Sequence, residues 1–163
     1  MKVLNKIVMG AAALVLLTAC GPSKCSFEKY QQEARAAEAK DPKFTKMTAK
    51  GKVIANVLGA TTTIDVNHSY ELQESGEWKK TEGKDGLADA VVLVMCQSRA
   101  WDLAEEEQED VTYYVGGGFK VVIKDDKGND ATVTFNKEGY VTSTKGKDAE
   151  SNSDLDLKFT WKK

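Results

Sequence analysis

One histidine, two prolines and three cysteines among 163 residues rule out several kinds of chemistry. A single histidine excludes any site built on two, and no Cys-x-x-Cys spacing occurs, so a thioredoxin-like redox centre is excluded as well. Scarce proline and 13 glycines without a period exclude collagen-like and proline-rich linker classes, and no internal repeat is present. Neither sign of charge dominates. The 25 acids and 23 bases give a formal charge of −2, which lacks the basic footprint of phosphate-backbone binding and argues against a nucleic-acid partner. What is present is a 41% hydrophobic chain of a length that suits one packed domain.

The longest apolar run is short. Ile7 to Leu17, broken only by Gly10, follows Lys2 and Lys6 in the layout of a secretory leader. It falls short of the ~20 apolar residues needed to span a bilayer. It ends in Leu17-Thr18-Ala19-Cys20 followed by Gly21, and this tetrapeptide resembles the lipobox of bacterial lipoproteins. The resemblance implies cleavage before Cys20, a lipid on its thiol and acylation of the new amine. Gly21 differs from the aspartate that retains many such proteins at an inner membrane, so the outer membrane, facing the periplasm, is implied in a host with two membranes. The expected organisation is a signal peptide over 1–19, a lipidated cysteine and tether over 20–24, and a single domain over 25–163. Loss of residues 1–19 removes two lysines and takes the charge from −2 to −4. The bilayer is therefore held through acyl chains at ~0.8 kcal/mol per buried methylene, without help from a polybasic patch. The tether, Gly21 to Lys24, reaches at most about 14 Å.

Cys25 and Cys96 are the thiols left in the mature chain. An even pair in an exported domain favours a disulfide, which over so long a loop contributes about 4 kcal/mol in the chain-entropy model. The alternative is a buried reduced Cys96 and an incidental Cys25.

Phe27, Tyr30, Ala34 and Ala37 recur at helical spacing behind Ser26, a candidate N-cap, and Asp41-Pro42 ends the pattern. Phe44, Met47, Gly51, Ile54 and Leu58 also have helical spacing, although Val53, Ala55 and Val57 alternate as a strand would; the balance is read as helix. Thr61–Val66 and Ser69–Gln73 are β-prone, with a turn at Glu74-Ser75-Gly76. Leu87 to Gln108 reads as a helix with a buried first half and an acidic end, Glu105 to Asp110, although Ala90 to Cys96, apolar on every side, also suits a buried strand. From Val111 the chain is an antiparallel meander through Phe119–Ile123, Ala131–Phe135 and Tyr140–Thr144. A polar loop over Lys145–Asp154 precedes a final strand in which Leu155, Leu157, Phe159 and Trp161 face the core. The expected fold class is α+β, with N-terminal helices packed on a C-terminal antiparallel β-meander.

Chemistry-bearing groups are few. Asp65, His68 and Ser69 lie too near in sequence for a triad without a special turn. Asp125, Asp126, Asn129 and Asp130 lack the glycine and ligand spacing of a calcium loop and read as a hairpin turn. Glu105 to Asp110 would offer a patch to a cation or basic partner, or else is a solvated helix end. Gly116-Gly117-Gly118 has no Lys-Ser/Thr behind it and serves a bend. Trp78, Trp101 and Trp161 suit either a sugar platform or the core. No metal or cofactor is expected.

Val133 to Val141 resembles the closing hairpin of small accessory lipoproteins that assist outer-membrane barrel assembly, and Val53 to Gly59 is similar to their second helix ending in Leu-Gly. The chain departs from that pattern by the insertion Thr61–Gly118. The expected function is that of a membrane-anchored, non-catalytic interaction module of the envelope, such as an assembly accessory, an inhibitor or an immunity-type protein, with an envelope protein as partner. The alternative is an envelope hydrolase working through Asp, Glu and Ser.

Overall fold

The computed structural model describes residues 21–40 and 43–163, so Cys20, the leader and the Asp41-Pro42 helix stop lie outside the described residues. Its elements are β1 (Ser23–Cys25), α1 (Phe27–Glu38), β2 (Lys46–Val57), β3 (Ala60–Leu72), β4 (Trp78–Glu82), α2 (Leu87–Gln97), a 3-10 turn (Ala100–Ala104), β5 (Val111–Val115), β6 (Phe119–Lys124), β7 (Asp130–Phe135), β8 (Val141–Asp148) and β9 (Ser153–Lys162). The strands form one antiparallel sheet in the order β1-β5-β6-β7-β8-β9-β2-β3-β4.

This architecture corrects the expected fold class. The protein is dominated by one antiparallel sheet whose strands come before, between and after α1 and α2, so it is not a set of N-terminal helices packed on a C-terminal meander. The C-terminal strand β9 lies between β8 and β2, with Met47 opposite Trp161 and Gly51 opposite Leu157, so it joins the early β2–β3–β4 unit to the later β5–β8 meander. Both helices contribute to a single core on one sheet face. Tyr30, Ala34 and Ala37 of α1 and Ala88, Val92 and Cys96 of α2 are buried with Met47, Tyr70, Val121, Val141 and Leu157 of the sheet.

The second expected helix is strand β2. Met47, Ala49, Val53 and Ala55 are buried while Thr48 and Ile54 are half-buried and Lys50 and Lys52 exposed, a period of two that outweighs the coincidental helical spacing. A two-residue turn, Leu58-Gly59, with both φ angles positive, closes β2 onto β3. The Leu-Gly likeness to a helix end is therefore a hairpin turn. The long helix expected over 87–108 stops at Gln97, and Arg99 opens the 3-10 turn with its amide donating to Asp102 Oδ2 at 2.7 Å. The acidic run lies beyond both, exposed. The expected loop over 145–154 shrinks to Ala149–Asn152, because β8 continues to Asp148 opposite Ser153.

Where sequence and structure agree, the cause is local. Ser26 caps α1 by accepting from the Lys29 amide at 3.4 Å, and Tyr30 and Gln31 fasten the helix to the 3-10 turn through the Ala100 and Ala104 carbonyls at 2.9 and 2.8 Å. The hairpin turns carry Asx oxygens: Asp125 accepts from the Lys127 and Asn129 amides, Asn136 from Glu138 and Tyr140, and Asp148 from Glu150 and Ser151. Gly116-Gly117-Gly118 joins β5 to β6.

Candidate functional site: an aliphatic cavity under the pinned start of helix α2

Cross-strand register lines up Ile123, Ala131, Gly146, Leu155 and Val53 as one row across β6, β7, β8, β9 and β2. Period-two alternation puts this row on the same face as the core residues Val121 and Leu157. The row's middle members, Ala131 and Gly146, are too short to reach the helix layer. Leu87 and Val91, one turn apart at the start of α2, stand on the other side. Between them lies a cavity of about 380 Å³ whose lining also includes Ala55. Asp130, Lys147, Asp148 and Asp154 also contribute to its lining, but Asp130, Lys147 and Asp154 adjoin Ala131, Gly146 and Leu155 in their strands and so carry their side chains on the opposite face, and Leu87 is half exposed at the mouth.

The helix start that bounds the cavity is held by a polar cluster. Tyr70 Oη donates to Asp89 Oδ1, and Lys80 Nζ meets Asp89 Oδ2 at 3.0 Å and Asp85 as well. His68 Nδ1 lies 3.4 Å from Tyr70 Oη and 3.8 Å from Asp89 Oδ1. His68 and Tyr70 are buried, and the His68 ring packs beside Gly83, where a β-carbon would come within 2.2 Å of it. Burial lowers the pKa of His68, against the pull of Asp89. Burial pushes Asp89 upward, but the Tyr70 hydroxyl and the Lys80 ammonium outweigh it, and the net direction is down. Burial and the Asp89 carboxylate together raise Tyr70. The cluster is thus a buried histidine and tyrosine beside the Asp89 carboxylate, which Lys80 links to Asp85.

Sequence reasoning missed this cluster. Its signal was the alternation Val66, His68, Tyr70, which places the histidine inside. The same alternation separates the triad candidates: Ser69 faces outward and donates to Glu82 at 3.1 Å, and Asp65 is opposite Lys52. The tryptophans do gather. Trp161 lies against Trp78 and Tyr140 at ring distances of 5.7 and 4.9 Å, Trp101 lies 6.4 Å from Tyr140, and the Arg99 guanidinium sits 3.9 Å over the Tyr140 ring. This aromatic wall closes the core at the other end of the sheet. Among the described residues no group of three His, Cys, Asp or Glu is arranged for a metal, and no helix is long and apolar enough to cross a membrane.

The expected Cys25–Cys96 bridge is not formed: both thiols are free. Cys25 lies on β1 near Lys29, Tyr30 and Val115, whereas Cys96 is buried in α2 near Arg99, with its pKa pushed up to about 12 by burial. A compartment argument carries no information about the close approach that a disulfide needs.

Strand β1 also shortens the expected tether. Ser23 and Lys24 are paired with Val115 and Tyr114, leaving Gly21 and Pro22 between Cys20 and the sheet. Ser23 is aligned through Val115 with Phe119, the first residue of β6, whereas the cavity row crosses β6 at Ile123, about 13 Å further along. Chain entry and cavity are at opposite ends of the strand. Comparisons with family models, curated proteins and solved structures give no match.

Proposed function

We propose that this protein is a lipid-anchored, non-catalytic binding module of the cell envelope, held to the membrane through Cys20 and presenting the cavity under α2 away from its anchor. One observation carries the binding part of this reading: an aliphatic cavity is kept open between small sheet residues and a helix start that ionic and hydrogen bonds hold in place. Of the charged residues that line it, Asp130, Lys147 and Asp154 stand at strand positions whose side chains face the other side of the sheet, and Asp148 is engaged with the amides of its own turn. The anchoring part rests on the resemblance of Leu17-Thr18-Ala19-Cys20 to a lipobox and agrees with a body that begins three residues later, at Ser23. With so short a link the domain lies against the bilayer, outer-membrane and periplasm-facing in a diderm host. An envelope protein or an apolar ligand then meets the far end, where the exposed Leu58 turn also projects.

The test is fractionation of cells expressing Cys20→Ala beside the parent. Release of the variant into the soluble periplasmic or secreted fraction is expected, because acyl chains supply the membrane affinity. Continued sedimentation with membranes at the parent level would overturn the anchoring.

A further inference from the structure

We infer that the cavity is a binding site for one single-chain aliphatic molecule. Its volume and its walls define that class. At roughly 30 Å³ per water-sized group, about 380 Å³ accommodates about a dozen methylene-sized groups, within the usual range of small-molecule sites. Its walls are aliphatic, from Ile123, Leu155, Val53, Leu87 and Val91, and none of these offers a partner for a polar group inside.

The floor is what makes room. Gly146 has no positive φ, and a β-carbon built on it meets Ala131 Cβ, Asp130 O and Leu155 Cδ2 at ordinary distances of 3.6 to 3.7 Å. Larger residues therefore fit the backbone there, and the cavity is a consequence of which side chains stand at these two positions. The pinned start of α2 keeps Leu87 and Val91 over the opening. The inference deepens the binding reading above but is independent of the anchor. A failure to bind would leave the Cys20 fractionation result intact, and the reverse also holds.

The experiment titrates n-alkyl trimethylammonium ions and n-alcohols of six to sixteen carbons, below their aggregation thresholds, into the full chain carrying Cys20→Ala, so that no acyl group of its own competes. Saturable one-to-one binding is expected, tightening about fourfold per added methylene and levelling off near twelve carbons. Ala131→Leu and Gly146→Val, which fill the floor, should weaken binding at least tenfold while the melting temperature holds or rises. Leu87→Ser at the rim, which leaves the sheet untouched, should weaken it too and serves if either filling variant fails to fold. Unsaturable uptake, equal binding by the filled variants, no levelling with chain length, or closure of the cavity by dimerisation of the chain would each overturn the assignment.

Discussion

Trp161 donates its indole N–H to the carbonyl oxygen of Val141 at 2.6 Å, which ties the last strand to the start of β8 while its backbone pairs with β2 on the other side. The C-terminal ten residues are thus an interior strand of the sheet. Phe159 and Leu157 are buried, and the strand's removal would expose both neighbours along their lengths. Deleting Asp154–Lys163 is expected to abolish cooperative unfolding by heat or urea, and Leu157→Ala should destabilise by about 2–5 kcal/mol. Shortening is tolerated only within Ala149–Asn152, where loop-closure entropy changes by less than about 1 kcal/mol. Cooperative melting of the truncated chain at the parent temperature would show that β9 is dispensable.

The His68–Tyr70–Asp89 cluster makes stability depend on pH with a defined sign. The folded-state pKa of His68 lies below its ordinary value of 6.5, so between that folded value and 6.5 the unfolded chain binds more protons. Stability is therefore full above about 6.5 and falls as the solution is acidified through this window. Asp89, with its folded pKa below 3.8, adds a second loss as pH falls through its own folded value. Urea midpoints measured from pH 8 down to pH 3 should show both steps, and His68→Gln should flatten the upper one. Tyr70→Phe should cost about 1–3 kcal/mol at neutral pH, because the buried end of the Asp89 carboxylate loses a donor. An upper step that persists unchanged in His68→Gln would remove the histidine from this role.

The thiols of Cys25 and Cys96 have different surroundings, and their reactivity should differ in the same order. In the Cys20→Ala chain, native and unreduced, Cys25 at the half-buried β1 edge is expected to react with an alkylating reagent ahead of Cys96, which should be labelled only on unfolding. Mass spectrometry after labelling in denaturant without reductant should count two modified cysteines. Zero would mean that Cys25 and Cys96 are bridged after all.

Much of this fold was legible from alternation and turn chemistry, and the parts that were not share a cause. The meander from Val111 to Phe135 and the inward face of Leu155 to Trp161 were readable because each strand is bounded by a glycine or Asx turn. In β2, apolar residues happen to fall at 47, 51, 54 and 58 as well as at 47, 49, 53 and 55. Gly51 fits a helical spacing but stands where β2 comes into close contact with β9. The sheet order was beyond local patterning, since nothing near Lys46 or Lys162 in sequence says that these segments pair. The cavity was hidden for the same reason: Ala131 and Gly146 become its floor only once register sets them beside Leu155 and opposite Leu87.

The close contact at Gly51 supports the last prediction. The residue has φ of +148° in the middle of β2, with Val66 on one side and Leu157 on the other, and a β-carbon would stand 1.9 Å from the Asp156 carbonyl oxygen. The clash is with backbone, which no side-chain rotation relieves. Overpacking of about 1–3 kcal/mol adds to the strain of a non-glycine residue in this conformation, also of order 1–3, so Gly51→Ala should destabilise by at least about 2 kcal/mol. Gly146→Ala provides the comparison on the neighbouring rows, because its φ is not positive and its β-carbon meets only ordinary contacts. There the smaller backbone entropy of the unfolded chain should leave stability unchanged or raised by up to roughly 1 kcal/mol. Urea denaturation of the two variants side by side checks this. Equal midpoints would mean that β2 and β9 do not approach each other at Gly51 as described, and with that close approach the central position of the C-terminal strand would fall too.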